Sequence, residues 1–200
     1  GMSADMVHAA GYAAASGCTV DSTTFIFTCP PTTSNGLTLL RTFEFFDSTG
    51  APMLAFNGVN TASVAVMATE SGVRPTANGA DTVSGTRSLT ATGLLGHNTT
   101  RIWNGTGART VGRYWSDSLA ARTADLSDNT TFADIVVDLP RSSNPYPASG
   151  TITRLVSGTG TVTRNGTTKS ITISRTVTIT FNGTEFVPMT VGTVAYTLDL

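Results

Sequence analysis

Five consecutive residues, Arg113-Tyr114-Trp115-Ser116-Asp117, put a guanidinium, a phenol, an indole and a carboxylate side by side. Aromatic faces and a cation can stack on sugars or aromatic ligands while a carboxylate holds hydroxyls. Arg113, Tyr114 and Trp115 are therefore the leading candidates for ligand contact, and packing of the two rings into a core is the competing reading. Arg175 is a further candidate. In the run "ITISRTVTITF", Ile171, Ile173, Val177, Ile179 and Phe181 alternate with Ser and Thr, and strict alternation points Arg175 into the apolar face. A guanidinium there either snorkels at a bulge or sheet edge or anchors a ligand inside a β-cup.

Residues that could do covalent or acid–base chemistry are sparse. The chain has no GxSxG elbow, no HExxH, no phosphate-binding glycine loop and no EF-hand ladder, so no catalytic residue, metal site or cofactor is expected. His8 and His97 are the only imidazoles, and His97 in "GLLGHNTTR" would have to act alone as a general base. Asp117, Asp125 and Asp128 crowd one segment, but the spacing lacks the glycine turn and bidentate Glu of a calcium loop, which favours helix capping.

Elements that could position these residues are announced by turns. Asparagine precedes glycine at positions 35, 57, 78, 104, 165 and 182, and several of these pairs lie between runs alternating apolar residues with Thr. Both central residues of a type I′ hairpin turn need positive φ, which Asn tolerates and Gly adopts freely. The cleanest alternation flanks Asn165-Gly166 and Asn182-Gly183, which are expected as tight hairpins, while Asn35, Asn57, Asn78 and Asn104 are expected in longer loops. "LTLLRTFEFF", "TASVAVMATE", "TFADIVVDL" and "VAYTLDL" read as further strands. One short helix or ordered loop is expected over "DSLAARTADL", where Leu119, Arg122 and Leu126 have helical spacing behind an Asp117 or Ser116 cap. The fold class is all-β: an antiparallel meander of hairpins forming a strongly twisted sheet, a sandwich or a partly open barrel, with at most one or two short helices. Residues 1–17 read as an Ala-rich flexible arm and 18–200 as a single all-β domain.

Charged residues are only 12% of the chain, and 38 threonines supply much of the polar surface. A net charge of −1 argues against nucleic-acid binding, and no 18-residue apolar run exists to form a transmembrane helix. Cys18 and Cys29 flank a strand-like run without metal or CxxC spacing, so a disulfide and an oxidising compartment are expected, with two buried thiols or a lipoprotein cleavage box at "AASGC" as alternatives.

"ITFNGTEF" followed by "YTLDL" resembles the tails of bacterial secreted or lipoprotein-type β-rich domains, a likeness limited to about the last fifty residues that brings no function with it. The functional expectation is an extracytoplasmic binding or structural module of the bacterial cell envelope, periplasmic, cell-surface or secreted. Its partners would be a glycan, a lipid or an envelope protein. A small outer-membrane β-barrel and a hydrolase with catalytic carboxylates converging from distant strands are the alternatives.

Overall fold

The computed structural model describes residues 17–200. The expected N-terminal arm and His8 lie outside the described residues, apart from Gly17, which sits in a turn. Thirteen strands form one antiparallel sheet: β1 (Thr19–Val20), β2 (Phe27–Thr28), β3 (Thr32–Ser34), β4 (Leu37–Phe46), β5 (Pro52–Met53), β6 (Ser63–Thr76), β7 (Gly79–Thr92), β8 (Thr100–Ser116), β9 (Ala121–Asp138), β10 (Ser149–Arg164), β11 (Thr167–Thr180), β12 (Phe186–Val191) and β13 (Val194–Asp199). From β6 onward each strand pairs with the next in sequence, which is the meander that the turn signals imply. The sheet runs from β1 at one edge to β13 at the other and is not closed into a barrel.

The central strands, β6 to β11, are 14 to 18 residues long, well beyond the usual length of a strand. β-Branched Thr, Val and Ile at nearly every second position fit a pleated surface and sustain that length. Strands so long twist and coil together. Phe43, Val66, Leu89, Gly105, Phe132, Ile152 and Ile179 stand opposite one another across seven strands and mark the core face. Beside this row Phe45, Val64, Ala91, Trp103 and Ile135 complete a core at one end of the sheet. Phe27 packs edge-on against Phe45 at 5.2 Å between ring centres. The Cys18–Cys29 disulfide ties the first strands together, and the buried Cys29 joins the core cluster.

The opposite face is hydroxylated. Thr38, Ser71, Ser84, Thr110, Ser127, Ser157 and Ser174 form one continuous row across seven strands.

Four local expectations are corrected. No helix forms over "DSLAARTADL" among the described residues: Asp117–Ala120 is a hairpin loop, and β9 starts at Ala121. Pairing with β8 and β10 along the whole of β9 overrides the weak helical spacing. Asp117 still caps, accepting hydrogen bonds from the Leu119 and Ala120 amides at 2.8 and 2.9 Å, but it caps a turn. Asn182-Gly183 lies in a five-residue loop between β11 and β12, where Asn182 folds back onto Thr184. Asn35-Gly36, by contrast, is a tight two-residue turn with φ of 50° and 77°, matching Asn165-Gly166 at 49° and 75°. Asn104-Gly105 is no turn at all: it sits at a bulge, where Asn104 exchanges hydrogen bonds with Asp134 on β9.

Candidate functional site

The residues of "RYWSD" sit where β8 nears its hairpin tip, and alternation divides them. Arg113 and Trp115 share the core face, whereas Tyr114 projects from the hydroxylated face and is exposed. Arg113 is committed to Asp81, donating from Nε at 2.6 Å and from a terminal nitrogen at 2.9 Å, and Arg74 donates to the same carboxylate at 2.6 Å. Register explains the triad, since Asp81 on β7 stands opposite Arg74 on β6 and Arg113 on β8. Asp81 is fully buried beneath its two partners. The Arg113 hydrogen bonds, then those from Arg74, outweigh burial and hold the carboxyl at about 2. The guanidiniums of Arg113 and Arg122 lie 6.0 and 5.8 Å from the Trp115 ring centre. The cluster is thus a structural clasp that joins three strands, and Tyr114 is not part of it.

Arg175 keeps the regular β10–β11 register without a bulge, on the core face as alternation requires. It is exposed and donates to the Ser174 carbonyl at 2.9 Å. Its strand pairs with β12 only over Val177–Ile179, so Arg175 stands beside a free edge. It lies three strands from Arg113, and the two do not form one site.

Between the core and the Asp81 clasp, the same face opens into a trough of about 420 Å³. Its lining comes from β4, β6, β7, β8, β9 and β10, so this face of the sheet is concave. Two adjacent rows build it. One runs Arg41, Ala68, Arg87, Gly107, Thr130, Arg154, and the next Leu39, Glu70, Gly85, Arg109, Asp128, Val156, ending at Arg175. Three of the four arginines face a small neighbour: Ala68 separates Arg41 from Arg87, Gly107 lies opposite Arg87, and Gly85 lies opposite Arg109. Glycine and alanine leave the volume that the arginine stems border.

Both acids of the trough are paired. Glu70 meets Arg109 at 3.2 Å, and Asp128 binds Arg154 and accepts from Thr130 at 3.1 Å. Burial pushes Asp128 upward, but the hydrogen bonds and charge of Arg154 prevail and keep it below the ordinary carboxylate range. Four arginines against two acids leave the lining with an excess of two positive charges. Asp117, Asp125 and Asp128 do not converge: the first is in a turn, the second on the hydroxylated face and the third in the trough. His97 is an exposed residue of the β7–β8 loop.

Comparison with protein-family models, with curated proteins and with solved structures returned no match.

The charge of the whole chain follows the same division. Arg41, Arg87, Arg109, Arg154 and Arg175 occupy the two trough rows, and Arg74, Arg113, Arg122, Arg164 and Lys169 lie toward the hairpin tips of the same face. Arg101, beside Val137, faces the core end. Eleven of the twelve basic residues therefore share the concave face with three acids, Glu70, Asp81 and Asp128. Within the strands, the hydroxylated face carries Glu44, Asp125, Asp134, Asp138 and Asp199 and no cation. Sequence reasoning that singled out Arg175 for its parity could have found the trough, because Arg41, Arg87, Arg109 and Arg154 break the apolar alternation in the same way.

Proposed function

We propose that this chain is a ligand-binding module of the bacterial cell envelope, working outside the cytoplasm, with the trough as its site. The observation that carries the reading is the concave cavity of about 420 Å³ lined by side chains from six strands of one sheet. Small-molecule sites fall in this range and set a few polar groups around an apolar floor, here Leu39, Ala68 and Phe132. Among glycan, lipid and envelope protein, a hollow of this size suits a compact ligand or a headgroup better than a protein surface. The Cys18–Cys29 bond supports an oxidising compartment. The resemblance of the C-terminal tail to secreted β-domains points the same way.

Binding is favoured over hydrolysis by the state of the acids. A general acid at neutral pH needs a raised pKa, whereas Asp128 is lowered and Glu70 is ion-paired. The Thr and Ser rows of the outer face favour a water-exposed sheet over a lipid-facing barrel, which needs an apolar band.

Gly107→Leu tests the site. A Cβ at Gly107 would have only ordinary contacts, the nearest 3.5 Å from the Thr86 carbonyl oxygen, so the larger side chain fills the trough without displacing backbone. In a thermal-shift panel of glycans and lipid headgroups, a ligand that raises the Tm of the wild-type chain is expected to leave Gly107→Leu unchanged. Equal shifts in both chains would remove the trough as the site.

A further inference from the structure

We infer that the open side of β11 is a docking edge for an extended, acidic segment of another protein, which joins the sheet as an added strand. The inference is independent of the trough. β10 covers one side of β11 along its whole length, but β12 covers the other side only over Val177–Ile179, ending where the Gly192 amide donates to the Thr176 carbonyl at 2.8 Å. Residues 167–175 have no neighbour on that side among the described residues. In an antiparallel ladder alternate residues turn both backbone groups the same way. Thr176 faces the open side, and so do Ser174, Thr172, Ser170 and Thr168, a row of donors and acceptors that a further strand can pair with. The far edge of the sheet differs: β2, β3 and β5 cover β4 there in short pieces, with Pro30 and Pro31 between the first two.

Side chains on this edge define the partner. Lys169, Ile171, Ile173 and Arg175 share the concave face, and Ile171 is 63% exposed. Their own backbone groups turn toward β10, so they would meet an added strand at non-hydrogen-bonded positions, where opposed side chains come closest. Neither cation meets a carboxylate among the described residues, and β11 itself has no acid. Arg175 donates to the Ser174 carbonyl, one of the open-side acceptors, and the acid in its row, Asp128, binds Arg154. The complement is a strand with two carboxylates spaced as Lys169 and Arg175 are, and apolar side chains at the two same-face positions between them. A carboxylate opposite Arg175 would draw its guanidinium off the Ser174 carbonyl and release that acceptor to the incoming backbone. A second copy of the chain fits worse. With two β11 edges aligned antiparallel on Thr172, Lys169 would stand opposite Arg175, and aligned on Ile171 or Ile173 neither cation would meet a counter-charge. The outer edge of β13 carries Asp199 and no cation, so it does not suit an acidic strand.

Titration of the full chain with the end-blocked peptide TETVTVTET, followed by amide shifts and hydrogen exchange, tests the assignment. Its glutamates and valines match the pattern in either chain direction. The Ser170, Thr172 and Ser174 amides should gain protection, and TKTVTVTKT should bind about tenfold more weakly, since two opposite-charge pairs become like-charge pairs. Exchanging the charges on the protein, Lys169→Glu together with Arg175→Glu, should reverse that preference. Thr172→Pro removes an open-side donor at an edge position that tolerates proline, and should abolish binding while keeping cooperative unfolding. Should that variant fail to fold, the charge exchange decides alone. Gly107→Leu, in the trough, should bind the peptide as the parent does. Absence of binding, equal affinity for the two peptides, a preference that survives the charge exchange, or protection at β13 instead overturns the inference. So does loss of binding in Gly107→Leu, which would put the peptide in the trough. A dimer of the chain alone that Thr172→Pro dissolves would make a second copy the occupant and overturn the acidic partner.

Discussion

A carboxylate buried on a sheet face stays charged only while its guanidiniums remain over it. Asp81→Asn keeps the shape and removes the charge, and its two partners are each close to half exposed, so water can take over part of their solvation. The expected loss is about 2 kcal/mol in urea denaturation, the scale for hydrogen bonds to a charged group. The pH dependence has a definite sign. The folded Asp81 carboxyl is held at about 2, below its unfolded value, so its contribution is complete above about pH 4 and is lost as pH falls through about 2. The stability of the wild-type chain should therefore fall more steeply across that window than that of Asp81→Asn. A parallel fall in both would remove the clasp from the account. At this scale the sequence was partly legible. Arg113 and Trp115 stood out by type, but their partner Asp81 lies 32 residues from Arg113 and is found only through the register of β7.

Turns and strands divide into what local chemistry decides and what pairing decides. Gly166 has φ of 75° and an added Cβ would meet nothing within 4 Å, so Gly166→Ala should cost only the left-handed penalty, about 1 kcal/mol. Gly36 has a similar φ, yet a Cβ there would run into the Val73 carbonyl, so Gly36→Ala should cost clearly more. Equal midpoints for the two variants in chemical denaturation would contradict the close packing of that turn on β6. Replacing Cys18 and Cys29 with Ser should cost about 2 to 3 kcal/mol, by freeing a loop of separation 11 in the unfolded chain. Strands with β-branched alternation were readable because their period of two is local. The start of β9 was not, because Leu119, Arg122 and Leu126 also fit a helix, and only pairing with β8 and β10 decides between them. The bulge at Asp134, with φ of 49°, was equally hidden: it shifts parity so that both Phe132 and Ile135 reach the core.

A net charge of −1 describes the molecule poorly, because its charges are sorted by face. Composition averages the charges out, whereas register separates a cationic concave side from an outer face without cations in its strands. What made this illegible was the need to chain six pairings before Arg41 and Arg175 could be placed in neighbouring rows. The sorting has a measurable consequence: association of any anionic ligand with the concave face should weaken with added salt, since the field of the whole face contributes at low ionic strength. The proposed function requires ligand to enter the trough between the core and the Asp81 clasp. Amide chemical-shift mapping during titration with a ligand that raises the Tm of the wild-type chain reads this out residue by residue. Shifts are expected at residues 39–41, 68–70, 85–87, 107–109 and 128–130; shifts confined to Trp115 and the hairpin tips, or to the Thr and Ser rows of the outer face, would place the ligand elsewhere.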